Sequence, residues 1–488
     1  MPFAIPFRRT SAARSATWFA AALALASCAP QEPPLPEPRV RLHAVLPSYA
    51  VVGEAVLLRV TAFDGHGLPA EWRERLFFDV SPAGPDLPSE FTLLPAGTRL
   101  ARLSFPEPGV FRMTVRDTLG HATVAGPIVV VPTEESLELR SGEAPQRVYW
   151  GDAHGHSDVG DGIHPPRQYF FYARDLAYLD FTCLSEHDFQ QYLGVGFDVQ
   201  ESSWEAVATE AASWRTPNFA VLLGWEWSSR THGHRVVLFP GDDARYVSFQ
   251  QAPTPRALAD ALQGTGAFSV LAHPSGSELT PPIDWSTVVP GFDRAVEVYS
   301  GHGTMDGEDD FRPTTSPHAR SSATDALRWG FRLGLVAFSD THLSTPGNPN
   351  PPPFRDAPYR GGLTAVYAPN ASRAEIFAAL RDGRCYATSG ERFVVSFRAD
   401  DRGVGETLAV APGATVEVHA FVAAPRAWKH VDLMRDDRVE RRFDGEKRPE
   451  MEIRASLGPL EADAAIWLRG ESEDGERFWT TPVWASAP

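Results

Sequence analysis

The sequence predicts an α/β protein in which a βα barrel stands between two small β-sandwiches. At 488 residues the chain is too long for one compact core, which indicates two or three domains. From residue 148 to about residue 391, short apolar runs alternate with amphipathic stretches of helical length, the pattern of βα units. Before and after this region, short alternating runs are separated by Gly, Pro and Asp, which favours β-sandwiches.

The first residues are typical of a secretory signal. A basic start precedes the apolar stretch Ala16–Ala26, which is too short for a stable membrane anchor. The sequence Leu-Ala-Ser-Cys that ends at Cys28 resembles the bacterial lipobox, in which the cysteine is lipidated and becomes the mature N-terminus. We therefore predict a lipoprotein signal peptide over 1–27 and a proline-rich tether over 28–39. The alternative is a plain signal peptide with an incidental cysteine.

Three predicted domains follow the tether. We expect an N-terminal β-sandwich over 40–132, a linker over 133–147, the βα barrel over 148–391 and a C-terminal β-sandwich over 392–488. The number of apolar runs suits a barrel better than an open sheet, and no Gly-rich dinucleotide motif follows its first strand.

Four amphipathic stretches of the barrel region predict helices. Thr254 followed by Pro255 is a typical helix start, and Ser372 with Glu375 forms the pattern of a capping box. The predicted helices cover 203–214, 255–262, 321–331 and 372–383.

The charge balance excludes one class of partner. The chain has 45 Lys and Arg against 62 Asp and Glu, a net charge of −17, and no dense basic run. We therefore expect no nucleic-acid binding. The same charge repels anionic substrates unless a bound metal reverses its sign locally.

Metal-ligand residues follow five of the predicted strands. Because a βα barrel gathers the C-terminal ends of its strands at one rim, we expect these side chains to meet there. Imidazoles and carboxylates together suit zinc, manganese or iron, and this set exceeds the three protein ligands of one catalytic zinc. Two or three ions are therefore expected. The residues are His154 and His156, Glu186 and His187, Glu226, His273, and Asp340 and His342.

At these residues the sequence resembles the PHP (polymerase and histidinol phosphatase) superfamily. The matching segments, in the order of that superfamily, are His154-Gly-His156-Ser157 with Asp161-Gly162, Leu184–Asp188, Gly224-Trp225-Glu226, Ala272-His273-Pro274 and Ser339–His342. Gly233–Phe239 and Tyr386–Gly390 further resemble an exported, largely uncharacterised branch, here a lipoprotein. The resemblance covers about half of the chain, residues 147–390.

The resemblance implies a distorted seven-stranded, TIM-like βα barrel with a cluster of two or three divalent ions. His154, His156, Glu226 and Asp340 would hold the first ion. Glu226 would bridge to a second ion held also by His273 and His234, with His232 as the alternative to His234. Asp161, His187 and His342 would hold a third. Glu186 stands where the family usually has Asp, and it would orient His187.

The implied reaction is hydrolysis of a phosphoester, small-molecule or polymeric, by a metal-bound hydroxide. Glu226 and Asp340 would be catalytic through the metals. Arg235 would clamp the phosphate, with Arg360 as a weaker candidate, because guanidinium pairs bidentately with phosphate oxygens. The alternative for Arg235 is an arginine at a strand edge that is paired to a carboxylate. We expect His302 and His318 to be loop residues.

Two other functions remain open at this point. Clustered metal ions also polarise carbonyls, which allows a metal-dependent hydrolase of C–N or lactone bonds. A non-catalytic binding lipoprotein is the third interpretation. In each case we expect export to the periplasm or cell surface, with membrane contact only through the lipid on Cys28. We expect Cys183 to be a buried small side chain, and a bridge to Cys385 is the alternative.

Overall fold

The structure is a computed structural model. Val40–Pro488 forms one compact unit. The predicted signal peptide, the tether, Cys28 and His318 lie outside the described residues, and the predicted domain boundaries stay a prediction. The structure describes residues 40–84, 90–92, 97–136, 140–141, 144–192, 195–198, 201–277, 280–307, 311–314, 321–350, 358–411 and 413–486.

The N-terminal region is built of two β-sheets and a short separate strand pair. The strands are β1 Arg41–Val45, β2 Tyr49–Val51, β3 Val56–Phe63, β4 Arg75–Ser81, β5 Glu90–Thr92, β6 Thr98–Leu103, β7 Gly109–Asp117, β8 Ala122–Val131, β9 Arg140–Ser141 and β10 Ala144–Pro145. One sheet has the order β1-β3-β6 and the other the order β2-β8-β7-β4-β5, while β9 and β10 form a separate pair. Alternate residues of both sheets, such as Leu58 and Met113, share one apolar core.

All but two of the central strands form one mixed ladder. The strands are β11 Arg147–Asp152, β12 Phe181–Leu184, β13 Phe189–Tyr192, β14 Val195–Asp198, β15 Ala220–Ser229, β16 Gly233–Phe239, β17 Phe268–Leu271, β18 Asp293–Ser300, β19 Gly303–Thr304, β20 Gly334–Ala337, β21 Leu363–Ala368 and β22 Cys385–Thr388. Strands β13 and β14 form a separate antiparallel pair. Strands β11, β12 and β15 are parallel, as are β17, β18 and β20. Strand β16 is antiparallel to both β15 and β17. Since two antiparallel steps restore direction, all six parallel strands end at the same edge of the sheet.

The described residues contain five α-helices. These are α1 Pro166–Phe171, α2 Glu201–Trp214, α3 Pro255–Ala261, α4 Ala323–Arg328 and α5 Arg373–Arg381. Tyr172–Leu176 continues α1 as a π-helix, and Glu134–Ser136 and Trp285–Thr287 are short 3₁₀ turns. The four predicted helices are confirmed as α2 to α5. Thr254 caps α3 as predicted, and Ser372 caps α5 through the N–H of Glu375.

The structure corrects the predicted fold class. The described chain is mostly β-sheet with few helices, and a TIM-like α/β barrel is not supported. A βα barrel needs a crossover helix after each strand, but β15 turns directly into β16, and β21 and β22 run antiparallel. Within the described helices, none combines the length and the apolar composition that crossing a lipid bilayer requires.

The C-terminal strands extend the central sheet. They are β23 Val394–Ala399, β24 Arg402–Gly403, β25 Thr407–Ala409, β26 Val416–Ala423, β27 Trp428–Arg435, β28 Arg438–Asp444, β29 Glu450–Leu457, β30 Ala464–Ser472, β31 Arg477–Thr480 and β32 Val483–Ser486. The central ladder continues from β22 through β31, β30, β27 and β28, and a second sheet has the order β24-β23-β26-β29.

The two described cysteines are free thiols. Cys183 lies in β12 and Cys385 in β22, and both are fully buried. Burial raises the pKa of both thiols, that of Cys385 to about 12. This agrees with the prediction of a buried small side chain at Cys183, and the alternative bridge is not formed.

Candidate metal centre

The common edge of the parallel strands carries the predicted ligands. Two backbone hydrogen bonds join the segments after β11 and β20: the Asp340 N–H donates to the carbonyl of His154 at 2.9 Å, and the His156 N–H donates to that of Thr341 at 2.8 Å. Asp340 and His273 both have positive φ, of 55° and 29°. Such backbone angles are uncommon for non-glycine residues, and they are enriched at functional sites.

Four buried side chains form a first group of ligand atoms. The Asp340 Oδ1 lies 3.0 Å from His156 Nε2 and 3.4 Å from His154 Nε2. The Glu226 Oε2 lies 3.2 Å from the same His154 nitrogen. All ligand atoms of this group lie within 4.8 Å of one another. One divalent ion fits among them, because two imidazoles and two carboxylates are a donor set that zinc, manganese and iron accept.

The second carboxylate oxygen of Glu226 faces a different pair of histidines. Its Oε1 lies 2.8 Å from His234 Nδ1 and 3.1 Å from His273 Nε2. The Oε2 also contacts His187 Nδ1 at 2.9 Å. Because the two oxygens face two sets of imidazoles, Glu226 has the geometry of a carboxylate that bridges two ions.

A third group lies on the open side of the site. Asp161 Oδ2 is 3.4 Å from His342 Nε2 and 3.7 Å from His187 Nε2. His156 connects this group to the first, since its Nε2 faces Asp340 and its Nδ1 lies 4.0 Å from Asp161 Oδ1. The side chains of Asp161 and His342 are 15% and 25% exposed, whereas those of His156 and Glu226 are inaccessible. Solvent therefore reaches the third group first.

Several buried ligand atoms of these groups lack a hydrogen-bond partner, as is expected for sites that bind metal ions. Five ligand-type atoms are buried without an aligned hydrogen bond: His154 Nε2, His156 Nδ1, Asp161 Oδ1, Glu226 Oε2 and His273 Nδ1. Buried polar atoms are normally paired, and several unpaired ones in one place indicate a missing partner. For this combination of nitrogens and anionic oxygens, that partner is a cation.

The pKa shifts of the buried ligand residues also agree with a site that binds a cation. Burial alone would raise the pKa of Glu226, but His187 and His154 hold it well below its usual range. Burial would also raise the pKa of Asp340, and His154 holds it well below normal. Burial would lower the pKa of His154, whereas Asp340 and Glu297 raise it well above normal. Both carboxylates are therefore ionised, and each is stabilised by positive charge at its neighbours.

Glu297, in the middle of β18, was missed by the sequence interpretation. Its Oε1 accepts a hydrogen bond from His154 Nδ1 at 2.7 Å, and its Oε2 accepts one from the His273 N–H at 2.7 Å. With a cation in the site, this contact would keep the single proton of the neutral His154 ring on Nδ1, so that Nε2 could bind the cation. A single carboxylate inside an apolar strand was the only signal in the sequence.

His302 also belongs to the cluster, although the sequence interpretation placed it in a loop. Its Nε2 lies 2.8 Å from Asp340 Oδ2, and the residue is buried. The signal was present, because His302 follows the end of β18 as His273 follows the end of β17. It was overlooked because no matching motif covers it.

Glu186 has a different position from the one expected. Its Oε1 accepts a 2.9 Å hydrogen bond from the Ser157 N–H, and it also contacts the Ser157 hydroxyl. Burial raises the pKa of Glu186 to about 8. We expected Glu186 to orient His187; instead it fixes the turn after β11 that carries Asp161.

Arg235 lies outside the cluster, which corrects its expected role as a phosphate clamp. Neighbouring residues of a strand point to opposite faces, so His234 faces the ligands and Arg235 does not. The buried guanidinium donates to Asp293 Oδ1 at 3.2 Å and to Thr287 Oγ1 at 3.3 Å. Arg235 is therefore the paired structural arginine that the sequence left as the alternative.

The two lesser candidates are also elsewhere. His232 lies 3.7 Å from Asp284 and contacts none of the ligand groups described above, so His234 takes the position for which His232 was the alternative. Arg360 donates from Nε to the Ser389 carbonyl at 3.0 Å and lines a separate cleft.

Comparisons with known proteins give one family match and several distant relatives. Residues 353–408 match a family described as a protein of unknown function (DUF3604). The chain is 23% identical over 419 residues to an uncharacterized protein of Chlamydia pneumoniae. It is 24% identical over 418 and 416 residues to uncharacterized proteins of Chlamydia trachomatis and Chlamydia muridarum. These matches cover 79% of this chain and 63% of each relative, so the chain spans less than two-thirds of the length of these relatives.

Two solved structures are similar at a low level. The first is a two-domain protein from Bacteroides vulgatus that contains a predicted PHP-like metal-dependent phosphoesterase; identity is 17%, the TM-score is 0.38, and the match covers 69% of this chain and 96% of that one. The second is β-glucuronidase 3 of Bacteroides uniformis, with 10% identity, a TM-score of 0.17 and coverage of 92% and 63%. At these TM-scores neither likeness establishes a shared fold.

Proposed function

We propose that this chain is a metal-dependent phosphoesterase of the PHP type, with two or three divalent ions at the common edge of its parallel strands. The observation that carries the proposal is the position of Glu226, whose two carboxylate oxygens face two different sets of histidines. A single ion would be bound on one side of this carboxylate, whereas two adjacent ions are commonly held together by a carboxylate that both share.

The chain supplies the ligands and their orientation, and it buries most of them. Divalent ions bound there would polarise a phosphoryl oxygen and acidify water, and paired ions stabilise both the attacking and the leaving oxygen. Glu297 and His302 hold His154 and Asp340 in place through hydrogen bonds. Cations held by these residues would also offset the net charge of −17, which repels a phosphate ester.

The open side of the cluster is where a substrate would enter. Asp161 and His342 are partly exposed, while the side chains of His154 and Glu226 are inaccessible. A substrate phosphate therefore meets the third ligand group first, and the buried groups lie behind it.

Two chromogenic esters test the proposal. The purified chain, supplied with Mn²⁺ or Zn²⁺, should hydrolyse p-nitrophenyl phosphate or bis-p-nitrophenyl phosphate, and Glu226→Gln should lose most of this activity. Glu205→Gln is the matched control, because Glu205 is an exposed residue of α2. Hydrolysis of amides or lactones without any phosphoesterase activity would contradict the proposal in favour of a C–N or lactone hydrolase. Absence of both bound metal and hydrolysis would indicate a non-catalytic binding protein.

We further propose that the protein acts outside the cytoplasm as a lipoprotein anchored at Cys28. The support is the basic start, the short apolar stretch and the Leu-Ala-Ser-Cys sequence. In a bacterial host, labelled palmitate should be incorporated into the chain and lost in Cys28→Ala. Incorporation that persists in Cys28→Ala, or is absent from the unaltered chain, would contradict this assignment.

A further inference from the structure

A second cleft, of about 310 Å³, lies along β1 and is lined by cationic side chains. We call it the arginine cleft and define it by Arg41, His43, Arg360 and Arg392. These four residues come from β1, from the segment before β21 and from the segment before β23. None of the metal-ligand residues lines this cleft. It is thus a separate site in a chain whose net charge is −17.

Three guanidinium groups act electrostatically on His43. Burial first, and then the positive charges of Arg392, Arg360 and Arg41, lower the pKa of its imidazole to about 3. The imidazole is hydrogen-bonded to the backbone of Ala177, and its Nε2 is buried without a hydrogen-bond partner. His43 is therefore a neutral imidazole whose Nε2 has no hydrogen-bond partner, and three positively charged side chains act on it.

Two of the three arginines that define the cleft have unmet donors, whereas Arg41 donates to the Pro349 carbonyl. Arg360 Nη2 and Arg392 Nε are both buried without a hydrogen bond. The hydrogen bonds that these two side chains do make are to backbone carbonyls, at 3.0 Å from Arg360 Nε to Ser389 and at 2.9 Å from Arg392 Nη2 to Tyr178. Guanidinium groups that serve only to hold a fold normally have their buried donors paired. The unmet donors point to a ligand that accepts hydrogen bonds.

Three carboxylates also line the cleft, and two of them have arginines outside the defining set. Glu476 accepts from Arg312 at 2.6 Å, and Asp474 lies 3.3 Å from Arg426. The Oε2 atoms of Glu476 and Glu391 lie 3.5 and 3.7 Å from Nη2 of Arg360, which is too far for well-formed hydrogen bonds. Pairing within the cleft therefore leaves positive charge in excess.

We propose that the arginine cleft binds a small ligand through an oxyanion group, phosphate or carboxylate. Guanidinium groups recognise both groups through paired N–H···O bonds. The cleft volume, about 310 Å³, suits a small molecule rather than a polymer. This site is independent of the proposed phosphoesterase activity.

Calorimetric titration of the metal-free protein tests this site. Metal is removed with a chelator, and the chelator is dialysed away because it is itself a polycarboxylate. Inorganic phosphate and citrate are the two probes. We expect at least one to bind, and Arg360→Gln and Arg41→Gln to weaken binding about tenfold or more, the effect of losing a charge-assisted hydrogen bond. The tighter probe identifies the oxyanion class.

Controls separate the cleft from other cationic groups. Arg256→Gln removes an exposed arginine in α3 and should leave binding unchanged. Glu226→Gln should also bind the probe normally, since Glu226 lies in the metal site. Thermal melting checks that each variant folds; Arg41, whose side chain is exposed, is the safer substitution. The proposal is overturned if neither probe binds at about 10 mM, if both cleft variants bind like the unaltered chain, or if Glu226→Gln abolishes binding.

Discussion

Glu297 joins two ligands of the candidate metal centre through one carboxylate: its Oε1 accepts from His154 Nδ1 and its Oε2 from the His273 N–H, each at 2.7 Å. His154 belongs to the first ligand group, and His273 contacts the far oxygen of Glu226. A residue outside the three ligand groups thus sets the orientation of residues on both sides of Glu226.

Glu297→Gln should weaken metal binding without unfolding the chain. The amide has one acceptor and one donor, so it can satisfy His154 or the His273 N–H but not both. We expect the affinity for Mn²⁺ or Zn²⁺ to fall by about 10- to 100-fold, the usual effect of losing a partner that orients a metal-binding histidine. Competition with a chromogenic chelator measures this. An affinity equal to that of the unaltered chain, in a protein that melts normally, would show that Glu297 has no positioning role.

Glu186→Gln should retain its metal, in contrast to Glu226→Gln. The amide oxygen introduced by the Glu186 substitution can still accept the hydrogen bond that the Ser157 N–H now makes at 2.9 Å, so the turn that carries Asp161 is preserved. We expect less than about a threefold change in metal affinity for Glu186→Gln, because one neutral acceptor replaces another in an intact bond. For Glu226→Gln we expect at least one ion per chain to be lost. Elemental analysis of both proteins provides the comparison, and equal metal loss would contradict the placement of Glu186 outside the cluster.

Arg235→Gln should reduce stability rather than chemistry. Removing this guanidinium leaves the buried Asp293 carboxylate without its cation, which typically costs about 3–5 kcal/mol of unfolding free energy. At a temperature where the variant is folded, we expect phosphoesterase activity per folded molecule to change little. Arg256→Gln, at an exposed pair 3.7 Å from Asp260, is the matched control for stability. A large loss of kcat with normal unfolding free energy would contradict this structural role and would indicate that Arg235 acts in the reaction.

His43 should contribute a measurable pH dependence to stability. Its pKa in the folded state is about 3, chiefly because of burial, whereas an unfolded histidine titrates near 6.5. Between these values the unfolded chain binds the extra proton, so this contribution to stability falls as pH decreases below about 6.5. The test is urea unfolding of the metal-free protein at pH 7.5 and at pH 5.0. The unfolding free energy that is lost between these two pH values should be about 1–2 kcal/mol smaller in His43→Gln than in the unaltered chain. The exposed His66→Gln is the control; an unchanged pH dependence in His43→Gln would contradict the buried, neutral state of His43.

The sequence could predict which side chains meet at the sheet edge, but not the architecture that brings them together. Residues such as His154 and Glu226 were identified because ligand types recur where apolar runs end, and parallel strands bring those ends together. The same apolar runs also fit a mixed sheet. Strands β15 and β16 are joined by a short turn, so no segment of helical length separates them, and they were not recognised as two antiparallel strands. A barrel was therefore predicted where the structure has mostly β-sheet.

Side-chain direction explains the remaining differences within the site. Periodicity places His234 and Arg235 side by side in β16, but only the register of the strand decides which of them faces the ligands. Glu297 could not be assigned for the same reason, since a single carboxylate in a buried strand gives no indication of its partners. His302 was the exception, because its position after β18 was available from the sequence alone.

The most direct test of the metal centre is anomalous diffraction from crystals grown with Mn²⁺. We predict two or more anomalous peaks at the edge formed by the parallel strands, two of them on either side of Glu226 and about 3.5–4 Å apart. A single peak, or peaks that do not contact Glu226, would contradict the bridged metal cluster on which the proposed phosphoesterase activity rests.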